Sequence, residues 1–424
     1  MRDERMPAFD YLSFSLDQKK DMRQMVYAVL MLAAVSCGLS ELGERPGRHQ
    51  GGMWTGPGMD IGKDEPDNPV CYVTAFDYRD GYDWVSDMEK GTVKCSLTVF
   101  ADGVPMMKIP VGNEYEISSD PDMHRMIGRH VYSDFSTAGE TVIRKDGKEL
   151  FRFDGREAII GLLVDSTDIY TLGHPRAGDG FVYRKNGEIL LSRKKGRSFG
   201  RLQRDGEDIC FAFSEPVKSQ TEVIERCYHV RNGVVTQEVL REDIKKVWDV
   251  ASFKGKVCYV ANVVGVKAPV LFMDDGMEAL DLPDNIEMKT CRLTISSESF
   301  CIEGICAAKG RPISSILWPD PSEGHVFSDG MTVTALYAED GGVSCVLNPV
   351  LPGGQGMIFR NGDPYCVYPG YVAVGCHSAA MVGGILHVGL SSKKGEKPVI
   401  WKDGIVDTLD VNGFISSVTV GKGK

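Results

Sequence analysis

The sequence predicts an all-β fold built from repeated four-stranded units, and three observations carry that prediction. A short phrase recurs eight times: an apolar strand, a tight turn at Asp-Gly or Asn-Gly (once Asp-Pro), and another strand, as in VIRKDGKEL from Val142, VYRKNGEIL from Val182 and VIWKDGIVD from Val399. The turn residues Asp102, Asp146, Asn186, Asn232, Asp275, Asp320, Asn361 and Asp403 are separated by 44, 40, 46, 43, 45, 41 and 42 positions. A period of this size made of short strands marks the blades of a β-propeller. The third observation is at the ends of the repeat array. CYVTAF from Cys71 is a second strand with no first strand ahead of it, and ISSVTV from Ile415 is a first strand with nothing after it. Pairing the two predicts eight blades of four antiparallel strands, with the ring closed by the C-terminal strand. Seven blades plus an irregular unit is the other count the spacing allows.

The third repeat shows the unit most plainly. AIIGLLVDS, DIYTLG, GFVYRKN and EILLSR are four short runs rich in β-branched and aromatic residues and bounded by Gly, Asp and Ser. Asn-Gly and Asp-Gly favour the type I′ turn because both central residues need positive φ. The third and fourth strands are therefore a tight hairpin. A lone sheet of this kind leaves both faces apolar, so blades must pack on their neighbours and the array must close.

Ahead of the repeats, residues 1–37 read as a signal segment. MVYAVLMLAAVS, from Met25, is an apolar run of twelve behind Lys19, Lys20 and Arg23, and it ends directly before Cys37. Twelve residues are too few to span a bilayer but suit the apolar stretch of an export signal. Translation is expected to start at Met22 or Met25, because the residues before are too long and too acidic for a signal. Residues 38–69 hold eight glycines and four prolines and show no strand period, so they read as a flexible tether. The propeller domain is expected over 70–424.

Two resemblances sharpen this outline. Ala34, Val35, Ser36 and Cys37 resemble a lipobox, which implies that Cys37 is the lipid-attachment residue. The blade turns YRKNG, FRNG and WKDG resemble the aromatic-Lys/Arg-Asn/Asp-Gly turns of Bacteroidetes-like propeller lipoproteins. That likeness covers residues 70–420 and implies fold, export and a place at the bacterial cell envelope, periplasmic or surface-exposed, rather than any chemistry.

Composition limits the partners. A formal net charge of −11 and a pI near 5.3 argue against nucleic acid, which requires a broad positive field. Of the twelve cysteines, Cys71, Cys95, Cys210, Cys258, Cys301 and Cys345 sit in apolar runs as small hydrophobes. Cys301 and Cys306 lack the spacing of a zinc site, so neither a metal nor a cofactor is expected.

Loop length locates a candidate binding surface. Blade one needs 30 residues from Tyr72 to Asp102, where four other blades need 16 between the middle of the second strand and the turn. The excess is FDYRDGYDWVSDMEKG, which carries Tyr78, Tyr82 and Trp84 and supplies the rigid aromatic area that a glycan or a protein ligand needs. His174 and Arg176 in GHPRAGDG of blade three are expected on the same face. The plainer reading is that Tyr82 and Trp84 pin the loop to blade one. A basic run from Arg184 through Lys185, Arg193, Lys194, Lys195, Arg197 and Arg201 to Arg204 is either an anion-binding patch or a solvated edge that protects against strand pairing.

No HExxH or Walker loop is present, and no catalytic residue is assigned. A histidine-based site would need His124 or His377, on predicted inner strands, to approach carboxylates such as Asp165 or Asp249 across the channel. The sequence is read as a non-catalytic binding or scaffold module held by a lipid anchor. A polysaccharide-cleaving enzyme with its site in the funnel and a structural subunit of an envelope complex are the alternatives.

Overall fold

The computed structural model describes residues 69–422 outside the segments 79–94, 112–115, 118–123, 138, 166, 176–179, 199–201, 219–222, 274–275, 283–285, 296–299, 309–313, 321–322, 328–330, 340–341, 350–354, 361–362, 375–376, 383–384 and 393–394. Cys37, the signal segment and the tether up to residue 68 lie outside the described residues, and Pro69 already belongs to a strand.

Among the described residues eight antiparallel sheets succeed one another along the chain. Blade three has the plain form, with Glu157–Asp165 innermost, then Asp168–Pro175, Phe181–Lys185 and Glu188–Arg193 outermost. In blades two, four and eight the inner strand is split in two, as in Glu116–Ile117 with Arg125–Ile127 of blade two. The outermost strand of blade four, Val234–Leu240, alternates between exposed and half-buried residues, because only one of its faces packs on the neighbouring blade.

Ring closure follows the expected pairing. Gly413–Lys422 runs antiparallel to Pro69–Tyr78, matching Cys71 with Val420, Val73 with Val418 and Phe76 with Phe414, with a register shift between Thr74 and Ala75. Blade one is thus built from both ends of the array, and the core packed into that seam contains Cys71, Val73, Ala75, Ile400, Ile415, Val418 and Val420.

The turn residue does two jobs. Asp102, Asp146, Asn186, Asn232 and Asp403 all have φ between 42° and 51°, and the glycine after each is also positive, as a type I′ turn demands. In four blades the same residue also clamps the second strand. Its N–H donates to the carbonyl of Cys71, Val131, Ile169 or Ile209 at 2.8–2.9 Å, and its Oδ1 accepts from the N–H of that same residue at 2.8–2.9 Å. Its second polar atom is matched chemically. Asn186 and Asn232 donate Nδ2 to Asp168 and Asp208, whereas Asp146 takes a proton donor, His130 Nδ1 at 2.7 Å.

Three residues before the turn the hairpin register slips, between Val99 and Phe100, Ile143 and Arg144, Tyr183 and Arg184, His229 and Val230, and Ile358 and Phe359. The extra residue falls on the outer strand, at Met106, Leu150, Leu190, Thr236 and Tyr365, and a bulge turns such a residue out of the ladder. Two of these reach the next blade: Tyr365 meets Trp401 edge-on at 5.5 Å, and Leu190 would lie 2.9 Å from a Cβ placed on Gly233.

Candidate functional site

Two faces follow from the topology. The turns between first and second strands share one face with the Asp/Asn-Gly hairpins. The connections between second and third strands, and from each blade to the next, share the opposite, loop face.

Of the predicted loop-face residues, Tyr82, Trp84 and Arg176 lie outside the described residues. Tyr78 does not sit on the loop. The strand extends to it, its N–H bonds the carbonyl of Asn412 at 2.8 Å, and its ring is buried in the blade-one core beside Phe414. The reason is Asp77, which reads as loop but is held in the strand. It pairs with Lys108 and accepts the N–H of Asn412 at 3.1 Å. His174 also belongs to a strand, the second of blade three. Its ring bridges two blades, with Nδ1 2.6 Å from the carbonyl of Gly180 and Nε2 2.8 Å from that of Ser198.

His124 and His377, the histidines that a channel site would use, hold the closing strand. His124 is fully buried, packs edge-on against Phe76 at 4.9 Å and lies 5.1 Å from the ring of Phe135. Asp134 Oδ1 lies 3.9 Å from its Nε2, within ion-pair range, but burial dominates and pushes the imidazole down to about 3. His124 is therefore neutral at pH 7. Its carbonyl accepts the hydroxyls of Ser416 and Ser417 at 3.0 and 3.1 Å, so it holds the closing strand from the blade-two side. His377 holds that strand from blade eight, its carbonyl accepting the N–H of Val418 at 2.6 Å. Asp249 accepts the N–H groups of Val250 and Leu293 at 2.8 and 2.6 Å, and Asp165 pairs with Arg204.

Sequence reasoning missed Arg125. This buried side chain on the short inner strand of blade two bonds Nε2 of His377 in blade eight through Nη1, and through Nη2 it donates to the carbonyl of Leu162 in blade three at 2.8 Å. One guanidinium thus links blades on both sides of the closing blade. The partners lie 37 and 252 positions away in the chain, so no local signal could have indicated them.

The basic run is dispersed by the fold. Arg184 is buried, 2.8 Å from Glu157 and over the Phe153 ring at 4.0 Å. Lys185 pairs with Asp168, Arg204 with Asp165, and Arg197 with Glu225. Lys194 and Lys195 are exposed on the loop face, and Arg201 lies outside the described residues. Two cysteines of second strands are protonated: burial pushes the Cys71 thiol up to about 12 and Cys210 to about 11. Among the described residues no group of three or more potential metal ligands converges.

No family model matches the chain, and no curated protein is similar to it. Among solved structures it is similar to the β-propeller domain of the trilobed protease from Pyrococcus furiosus, with 10% identity over 86% of this chain and 99% of the other and a TM-score of 0.40. It is also similar to the dihydro-heme d1 dehydrogenase NirN, with 10% identity over 89% of this chain and 82% of the other and a TM-score of 0.45. A prolyl endopeptidase matches at 10% identity over 67% of this chain and 49% of the other, with a TM-score of 0.37. These are likenesses of propeller fold alone.

Proposed function

We propose that this chain is an exported propeller, anchored through a lipid on Cys37, that serves as a non-catalytic binding or scaffold module at the bacterial cell envelope. Its ligand is a glycan or a protein held on the loop face, where Tyr82 and Trp84 supply aromatic area. The observation that carries the reading is how the inner polar groups are used. Arg125, the carbonyls of His124 and His377, and Asp249 are all engaged in holding strands and blades together, which suits a rigid frame for surface loops better than a reacting centre. The order of basic flank, apolar run and Cys37 supports the envelope location, as does the likeness of the blade turns to those of propeller lipoproteins.

Two experiments test it. Expressed in a bacterium fed an alkyne fatty acid, the chain should become labelled and sediment with membranes, and Cys37→Ser should abolish both; labelling that survives the substitution refutes the anchor. A glycan array and an envelope pull-down should find a ligand whose binding falls with Tyr82→Ala or Trp84→Ala. Binding indifferent to both refutes the loop assignment.

A further inference from the structure

The geometry points to a second binding site, for an acidic saccharide, on the loop-face rim of the channel between blades four and five. Trp248 is its aromatic surface, and Lys246 and Arg197 are its anion-binding groups. This inference rests on the reading of the loop face as the ligand-binding side, and deepens it.

The residues converge from two inner strands. Arg197 lies on Arg197–Ser198, the first inner segment of blade four, and Lys246 and Trp248 lie near the start of Ile244–Phe253 in blade five. Inner strands begin at the loop face, so all three sit at its channel mouth. The Lys246 ammonium stands 3.4 Å from the centre of the Trp248 ring, a cation–π contact, and Trp248 Nε1 donates to Asn262 Oδ1 at 2.8 Å. One side of the indole packs against the core shared by blades five and six. Its orientation is therefore set before any ligand arrives, and a sugar stacks on the ring once its acid group draws the Lys246 ammonium off that face.

The charge balance favours an anion. Arg197 Nη2 bonds Glu225 Oε1 at 2.7 Å and the carbonyl of Val247 at 3.4 Å, which commits the nearby carboxylate to Arg197. Lys246, next to that arginine, forms no ion pair among the described residues, and its ammonium is held below the usual lysine range by burial first and by Arg197 second. Lys245 beside it is exposed, as are Lys194 and Lys195 in the connection leading to Arg197. Cations gathered in this way on a chain of net charge −11 repel one another, and a bound carboxylate or sulfate relieves that repulsion. A ring face flanked by cations fits a uronate or a sulfated sugar better than a neutral one.

The test uses the full chain carrying Cys37→Ser, titrated calorimetrically with polygalacturonate oligosaccharides, heparin-derived oligosaccharides and neutral dextran. Binding of at least one acidic probe and not of dextran is expected. Lys246→Gln, Arg197→Gln and Trp248→Ala should each weaken it about tenfold, the size of one charge-assisted or stacking contact, while Lys148→Gln on the outer strand of blade two should not change it. Urea midpoints of the Gln variants confirm that they fold. Absence of acidic binding, equal binding of dextran, or affinity unchanged in all three variants overturns the proposal. If Tyr82→Ala or Trp84→Ala abolishes acidic binding while the rim variants do not, the rim proposal fails and the loop assignment stands. The converse pattern upholds the rim and removes the loop.

Discussion

Lowering the pH from 7 to 5 should destabilise the ring, and His124 gives a magnitude for the effect. Its folded-state value is near 3 because burial disfavours the charged ring, whereas in the unfolded chain it returns to 6.5. A depressed value means that the stabilising contribution is complete above 6.5 and is lost as the pH falls below it towards 3. At pH 5 the unfolded chain binds this proton and the folded ring does not. The linkage between proton binding and folding then costs about 2 kcal/mol relative to pH 7, at about 1.4 kcal/mol per unit beyond 6.5. His387, pushed down to about 4 by burial first and then by Lys402, adds a similar loss over the same window. Replacing His124 with Phe removes its share with little change in packing, because the ring already sits among Phe76 and Phe135. Urea unfolding at pH 7 and pH 5 should show the His124→Phe variant losing about 2 kcal/mol less than wild type on acidification. Identical losses in the two proteins would refute the claim that burial keeps this histidine neutral.

Three further outcomes follow from the turns and the seam. Asn186→Asp sets two carboxylates against each other, because Asn186 Nδ2 now donates to Asp168 at 2.7 Å. It should lower the urea midpoint, and adding Asp168→His should recover much of the loss by rebuilding the Asp146–His130 pair of blade two. Gly103→Ala and Gly147→Ala impose the same backbone strain, at φ of 82° and 76°, but a Cβ on Gly147 would lie 2.6 Å from Ile109 Cγ2, whereas one on Gly103 meets nothing within 4 Å. Both should lower thermal stability, by about 1 kcal/mol for Gly103→Ala and at least 1 kcal/mol more for Gly147→Ala. Ending the chain at Asn412 removes Phe414, Ile415, Val418 and Val420 from the core, roughly 8 kcal/mol at about 2 kcal/mol for each buried side chain. The truncated protein should bind a hydrophobic dye and resist no protease; a well-protected product would show that the ring does not depend on its terminal strand.

The architecture was legible because its signals are local and repeated. Asp or Asn followed by Gly needs only two residues to be recognised, and eight turns, seven of them of this type, measure a period. The seam was legible from what each end lacked, a first strand before Cys71 and partners after Ile415. Non-local features were hidden. Tyr78 reads as loop because Asp77 interrupts the apolar run, and only Lys108 and Asn412 show that Asp77 is compensated within the strand. The recurrent bulge falls on Met, Leu, Leu, Thr and Tyr, residue types with no common signature, since what places it is register against the third strand rather than side-chain identity. The basic run looked continuous because sequence order does not show that Arg184 is buried against Glu157 while Arg197 stands at the channel mouth.

The turns also explain why function is expected on the other face. Each clamped turn residue spends its N–H and Oδ1 on the second strand, and its remaining polar atom, where a partner is matched, goes to Asp168, Asp208 or His130. The charges beside them are paired as well: Lys185 meets Asp168 at 2.6 Å, and Arg231 meets Asp205 and Asp208 at 2.7 and 2.8 Å. A ligand on that face would have to displace bonds that hold the blades, trading stability for affinity. On the loop face the connections vary in length without disturbing a clamp, and Lys246 stands over Trp248 without a carboxylate of its own among the described residues. Surface that can change without unfolding the ring is where a propeller gains a ligand, so Lys246→Gln should alter binding while leaving the free energy of urea unfolding within about 0.5 kcal/mol of wild type.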